Sequence, residues 1–251
     1  MVKAKKYLGQ HFLTDNNIAN KISMSLVNPD NVPVLEVGPG TGVLTKELLK
    51  RNFDLTLVEV DIESVEYLKE NLTQNFHLIH ADFLKMDLHK YFESEVCIIG
   101  NFPYNISSQI FFKMLENRTM VPELCGMIQK EVAERIASVH GNKTYGILSI
   151  LIQLYYKVEY LFTVSENVFN PPPKVKSAVV RMTRFRDKIE DVDEKKLFSV
   201  VKISFNQRRK TLRNSLKSFI TTDTPTDHPF FALRPEQLKP VDFILLTNLL
   251  K

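Results

Sequence analysis

The sequence predicts an α/β fold: a mostly parallel sheet with crossover helices, closed on one side by an antiparallel edge pair and followed by a small all-α C-terminal domain. Three observations predict it. Through the first half of the chain, short apolar runs alternate with amphipathic helical stretches, the pattern of strands joined by crossover helices. Two extended runs then follow one another with only a proline-rich loop between them, which reads as an antiparallel pair. Beyond Arg186 the strand-like runs stop and helical periodicity alone remains. The expected division is therefore 1–186, with a basic arm at 1–14, and 187–251.

The elements follow in order. Asp15 stands at the N-cap of a helix that carries Ile18, Ile22 and Leu26 on one face. The strand-like runs are Val34–Val37, Leu55–Val60, His77–His80, Val96–Ile99 and Leu124–Ile128, with helical stretches near 42–51, 62–72, 107–117 and 130–139. A further helix is expected over Gly146–Tyr156. Then come the extended runs Lys157–Val164, where Val158, Tyr160, Phe162 and Val164 alternate with their neighbours, and Ser177–Phe185. The tail reads as helices near 194–206, 209–221 and 240–250, with Pro240 suited to a first turn.

Composition narrows the function. The 251 residues are 44% hydrophobic and 25% charged, ordinary for a folded chain. The two cysteines, Cys97 and Cys125, sit in apolar runs and can build neither a disulfide framework nor a multi-ligand zinc site; no metal is expected. The best candidate for a membrane span, Thr144–Tyr156, falls short of the ~20 residues a span needs. The basic start lacks an apolar stretch, so no secretory signal is read there. A reduced, cytoplasmic protein is the expectation, and a monomer, since no apolar helix seam stands out.

The charge is uneven. The net +4 is concentrated in residues 187–251, where 12 basic residues face 9 acidic ones. Ser199–Phe219 contains Lys202, Arg208, Arg209, Lys210, Arg213 and Lys217 and no acid; residues 1–14 contain Lys3, Lys5 and Lys6 and no acid. Such clusters are either solvated faces or the footprint of a polyanion.

The chemistry gathers at the strand ends. Glu36-Val37-Gly38-Pro39-Gly40-Thr41-Gly42 leads from the first strand into a helix. A dinucleotide fingerprint is G-x-G-x-x-G, and here the third glycine comes one residue early, which disfavours a nicotinamide cofactor. The E-x-G-x-G-x-G form is typical of S-adenosylmethionine-binding folds. Glu59 ends the second strand, where an acid can chelate two ribose hydroxyls, and Asp82 follows the third, where a carboxylate can accept from an adenine amino group. Acids in register after successive parallel strands lie along the edge where such sheets bind ligands. The fourth strand ends in Asn101-Phe102-Pro103-Tyr104, a (D/N)-x-P-(F/Y) motif of amino-group methyltransferases. An exocyclic adenine amine is a poor nucleophile, because its lone pair is delocalised. The Asn101 side-chain oxygen and the Pro103 carbonyl can accept its two hydrogens and aim that lone pair, while Tyr104 offers a face for a flipped base.

With these motifs the sequence resembles the ribosomal RNA adenine-N6,N6-dimethyltransferases along nearly its whole length. Tyr7–Leu13 resembles the family's G-Q-(N/H)-F-L element. Gln129–Arg135, Tyr145–Ser149 and the F-x-P-x-P-K-V-x-S loop at Phe169–Ser177 are further landmarks. The resemblance implies a Rossmann-like class I S-adenosylmethionine-dependent methyltransferase sheet. It implies cofactor contacts from Gln10, His11, Leu13, Gly38, Gly40, Glu59, Asp82 and Asn101, and target-base contacts from Asn101, Pro103, Tyr104 and Phe169. His11 stands where Asn is common, and its contacts are expected through the backbone. Phe102 replaces the usual Leu or Ile.

Phe205–Leu216 resembles the branch that modifies two adjacent adenines near the 3′ end of small-subunit RNA, a run the macrolide-resistance branch lacks. On a continuous helix Arg209, Arg213 and Lys217 form one stripe, suited to phosphates. The expected RNA contacts are Lys5, Lys6, Arg208, Arg209, Lys210, Arg213 and Lys217, and the expected partner is small-subunit ribosomal RNA or an immature subunit. Alternatives are a large-subunit dimethyltransferase of the resistance type, an RNA-binding assembly factor in which binding outweighs methylation, and an NAD-dependent oxidoreductase.

Overall fold

The computed structural model describes residues 2–28 and 30–250. The chain forms two compact units, residues 1–133 with 159–184, and residues 134–158 with 185–251.

The first unit is built on the sheet. Its strands are β2 (Val34–Val37), β3 (Leu55–Glu59), β4 (His77–His80), β5 (Cys97–Asn101), β6 (Glu123–Gln129), β7 (Tyr156–Val164) and β9 (Ser177–Arg184), in the order β4-β3-β2-β5-β6-β9-β7. A separate two-stranded ladder pairs β1 (Phe12–Leu13) with β8 (Phe169–Asn170). The five strands from β4 to β6 are parallel, and β9 runs antiparallel to β6 with Gly126 opposite Val180. β2 and β3 are buried along their whole length, as expected where helices cover both faces. Those helices are α1 (Asn16–Ser25), α2 (Val43–Leu49), α3 (Ile62–Asn71) and α4 (Ser107–Glu116). Asp15 caps α1 as expected, accepting the N–H groups of Asn17 at 2.8 Å and Ile18 at 3.0 Å.

Sheet order positions the site. From β2 the sheet grows outwards through β3 and β4 on one side and through β5 and β6 on the other. The connections therefore diverge between β2 and β5, and open α/β sheets bind ligands at the carboxyl end of such a divergence. Glu36 lies opposite both Leu57 and Ile99, so the ends of β2, β3 and β5 reach one edge together.

In the second unit, α7 (Glu194–Asn206) packs against α6 (Ile147–Gln153), α8 (Leu212–Ser215) and α9 (Asp242–Leu249). The Tyr145 and Phe205 rings meet edge to face at 6.2 Å, and Phe243 lies 6.3 Å from Phe205. α5 (Lys130–Ile136) completes the set of helices. The single helix expected over 209–221 is not formed. After α7 the chain turns at Gln207, Thr211 is extended, and α8 lasts four residues before a 3-10 turn at Lys217–Phe219. The cause is tertiary: Leu212 is fully buried and its N–H donates to the Leu233 carbonyl at 2.7 Å, which fixes the chain in a bend. Arg209 consequently precedes the helix that carries Arg213, and the continuous basic stripe is broken. Among the described residues no helix is long and apolar enough to cross a membrane.

Candidate active site

A cavity of about 300 Å³ opens at the carboxyl edge of β2, β3 and β5. Its walls are the glycine loop after β2, the loops after β3 and β4, the Asn101–Ile106 segment and the arm from Tyr7 to Leu13. Gly38, Gly40 and Gly42 all have positive φ, 71°, 55° and 75°, which a side chain would strain. At Gly40 there is also no room, since a Cβ would stand 2.9 Å from the Phe12 ring of the arm.

Three of the acids on the cavity wall have distinct surroundings. Glu59 is buried and accepts three backbone N–H groups, from Gly40 at 3.1 Å and from Val60 and Asp61 at 2.9 Å each. Burial raises its pKa, and the three donors work against that rise. Glu36 is 1% exposed, and its Oε2 has no hydrogen-bond partner among the described residues. Burial raises Glu36 to about 8, the nearby Thr45 hydroxyl working against that rise and Glu59 adding a smaller push. Asp82 is half-buried, accepts from the Leu84 N–H at 3.0 Å and has Lys85 at 3.6 Å. Glu36 was visible in the motif, but its burial was not.

The arm lines the cavity with Gln10, His11 and Leu13. Its own anchors escaped the sequence. β1 pairs with β8, Thr14 N–H donates to the Val168 carbonyl at 2.9 Å, and the His11 ring Nδ1 donates to the Pro171 carbonyl at 2.8 Å. At the other end Lys5 is ion-paired with Asp61, and with Glu63 at 3.1 Å. Lys5 is therefore engaged by carboxylates; Asp61 had no signal beyond its place two residues after Glu59.

At the end of β5 the Asn101 Nδ2 donates to the His11 carbonyl at 3.0 Å. Pro103 and Tyr104 line the cavity. The Tyr104 hydroxyl is hydrogen-bonded to Ser177 Oγ, burial raises its pKa, and its ring lies 5.4 Å from that of His11, tilted by 32°. His11 is thus engaged through both its carbonyl and its ring. Phe102 is buried, its ring seated against Gly100 and Gly126, which face each other across β5 and β6. Two facing glycines make room for a side chain larger than Leu.

Phe169 is the main departure. It is 4% exposed, packs with Leu13, Val164 and Val179 in the core and is not on the cavity wall, because β8 turns its side chain inward where the strand pairs with β1. The sandwich expected between Phe169 and Tyr104 is absent from this conformation.

Of the basic residues, Lys6, Arg209, Lys210, Arg213 and Lys217 are exposed. Arg213 donates to the Thr226 carbonyl. Arg208 is half-buried and donates to the carbonyls of Lys143 at 2.7 Å and Asn142 at 3.0 Å. Its guanidinium staples a turn. Among the described residues no group of three or more His, Cys, Asp or Glu could hold a metal ion.

Comparison with known proteins agrees with this geometry. The family model for ribosomal RNA adenine dimethylase matches residues 1–229. A protein named ribosomal RNA small subunit methyltransferase A from Bacteroides thetaiotaomicron is 59% identical over 251 residues, covering 99% of this chain and 94% of its own. One of the same name from Cytophaga hutchinsonii is 54% identical over 252 residues, covering 99% and 98%. Among solved structures, a dimethyladenosine transferase from Plasmodium falciparum superposes with a TM-score of 0.77 at 25% identity, over 94% of this chain and 95% of that one. A 23S rRNA methyltransferase, ErmE, gives 0.68 at 26% identity, over 95% and 99%. The sheet is that of S-adenosylmethionine-dependent methyltransferases, and the chain belongs to the ribosomal RNA adenine dimethylase family.

Proposed function

We propose that this protein transfers methyl groups from S-adenosylmethionine to the N6 amine of adenines in small-subunit ribosomal RNA, twice per adenine, and that its target is the adjacent pair near the 3′ end implied by the resemblance. The observation that carries the reaction type is the orientation of Asn101. Because its Nδ2 is spent on the His11 carbonyl, its Oδ1 is the atom left to accept an N6 hydrogen. The shared name of relatives 54% to 59% identical supports the small subunit as substrate, and no observation favours the large-subunit, oxidoreductase or binding-only alternatives. We further propose a cytoplasmic monomer acting on an immature subunit.

The residues fit the cofactor. The unpartnered Glu36 oxygen, the Glu59 carboxylate and the half-buried Asp82 are acceptors around one cavity, and a nucleoside with an amino acid tail brings hydroxyl, amine and ammonium donors. Glu59 would hold the ribose, Asp82 the adenine amine, and Gln10, His11, Leu13, Gly38 and Gly40 would enclose the remainder. When bound, S-adenosylmethionine supplies a methyl group activated by its sulfonium. Asn101 Oδ1 and the Pro103 carbonyl accept the target amine's hydrogens and turn its lone pair towards the cavity. Tyr104, its hydroxyl fixed by Ser177, presents a ring face to the base. Positioning supplies most of the rate, and no general base of tuned pKa is required.

The test is to supply methyl-labelled cofactor with small and large subunits lacking these modifications, then identify the labelled nucleosides. Dimethyladenosine from the small subunit alone is the expected result. Label in the large subunit alone would move the substrate to the other branch, and no label with cofactor binding intact would leave an RNA-binding factor.

A further inference from the structure

We propose that Asp61, through Lys5 and Gln10, is a positioning residue that clasps the N-terminal arm shut over the cofactor cavity, so that cofactor retention depends on this charged pair. The inference rests on the reading of that cavity as the S-adenosylmethionine site.

Asp61 is 3% exposed, an unusual place for a carboxylate without a task. It accepts from the Lys5 ammonium, from Gln10 Nε2 at 3.3 Å and from Ser64 Oγ at 3.1 Å, and it caps α3 through the Glu63 N–H at 3.3 Å. Gln10 closes the arm on itself, its Oε1 accepting the Lys5 N–H at 2.8 Å. Lys5 and Asp61 are thus the start of a strap whose body, Tyr7 to Leu13, forms a cavity wall. The far end of the strap is fixed by the β1–β8 ladder and Thr14. With one end held by a strand pair, the clasp at the other end decides whether the wall stays in place.

The clasp is also wired to the cofactor acid. The Asp61 N–H donates to Glu59 Oε1 at 2.9 Å, so Glu59 and Asp61 form one short loop, one carboxylate turned to the cavity and the other to the arm. Opening the arm separates the Asp61 carboxylate from its ammonium partner, so the pair favours the closed state. The arm must still open for cofactor exchange, and the clasp therefore acts on the rate at which cofactor leaves.

The test uses the full-length protein with Asp61→Asn, Lys5→Met, both together, and Lys5→Arg. Asn keeps the helix cap through its one oxygen while removing the charge and the acceptor that Gln10 uses. Each single variant is expected to raise the KM for S-adenosylmethionine and its dissociation rate by about tenfold, with kcat at saturating cofactor within about twofold of the parent. The double variant is expected to be no worse than either single one, because both remove the same clasp. Lys5→Arg is expected to restore most of the affinity. Unchanged affinity in both single variants overturns the proposal, as do additive losses or a fall in kcat at constant KM. If the parent protein binds no S-adenosylmethionine, the reading of the cavity fails instead. The clasp is then judged by amide hydrogen exchange over residues 5–13: faster exchange in Asp61→Asn supports it, and unchanged exchange overturns it.

Discussion

The side-chain amide of Asn101 donates to the backbone carbonyl of His11 across 3.0 Å, tying the end of β5 to the arm. This bond chooses which way the amide faces, and so makes the Oδ1 the acceptor for the substrate. A carboxylate at this position keeps an acceptor but sets a negative oxygen against the His11 carbonyl. Asn101→Asp is therefore expected to lower kcat by about 10²- to 10³-fold, the loss typical of removing one aimed group. The melting temperature should stay within a few degrees of the parent. Single-turnover kinetics with a small-subunit substrate would measure it, and retention of more than a tenth of the rate would show that the amide orientation is immaterial.

Tyr104 and Ser177 form a hydroxyl pair in which Ser177 is fully buried. Tyr104→Phe keeps the ring face but strands the serine hydroxyl, at a cost of about 1–3 kcal/mol in stability. Tyr104→Ala removes the face as well. The expectation is that Phe lowers the melting temperature yet retains a measurable rate, whereas Ala abolishes methylation. Equal rates for the two variants would rule out stacking on this ring.

The Phe102 ring fills the space left by Gly100 and Gly126, and a Cβ on Gly100 would also stand 2.6 Å from the Val37 carbonyl. Overpacking of such a site costs about 1–3 kcal/mol. Gly126→Ala is expected to lower stability by this amount and to disturb Asn101 and Pro103, which flank Phe102. Adding Phe102→Leu, the smaller residue usual in the family, should recover both stability and activity. Denaturant melts and initial rates of the parent and the two variants check the coupling, and failure of the second substitution to rescue the first would break it.

Local periodicity made the framework legible, because α7 at Glu194–Asn206 and β2 at Val34–Val37 are built from their own residues' apolar faces. What the sequence concealed was set by distant partners. β1 and β8 are two residues each, too short for a period, and exist only as each other's partner. The bend at Thr211 needs the Leu233 carbonyl, which no pattern within 209–221 foretells. The same holds at the site. Glu59, Asp82 and Asn101 were legible because strand ends carry them to one edge. Lys5 reads as a free cation because its partner Asp61 lies 56 residues away, and the stacking role of Phe169 is implied by the resemblance alone, which carries no signal of β8.

Glu36 gives the fold a dependence on pH. Burial raises its carboxyl from the usual 4.5 to about 8, so between those values the native state holds a proton that the unfolded chain has released. Its contribution is therefore full below about 4.5 and is lost as pH rises through about 8. Glu59 shifts the same way, whereas Asp61 and Glu47 shift downward and contribute above the normal carboxylate range. Glu36→Gln isolates the first effect. Its melting temperature relative to the parent is expected to improve by several degrees between pH 5 and pH 9, and a constant difference over that range would contradict the assignment.

The tail's cations separate by what they touch. Arg209, Lys210 and Lys217 are exposed, whereas Arg208 is spent on the carbonyls of Asn142 and Lys143. Each phosphate contact releases counterions and steepens the salt dependence of binding by about one unit of logarithmic slope. Alanine at Arg209, Lys210 or Lys217 is expected to weaken subunit binding and to flatten that slope by about one, with the melting temperature unmoved. Arg208→Ala is expected to do the reverse: it removes two charged hydrogen bonds within the helical unit and lowers the melting temperature, and the slope is retained. Filter binding between 50 and 300 mM salt, on the order used for such slopes, distinguishes the two patterns. An Arg208 variant that flattened the slope without losing stability would return that residue to the RNA surface.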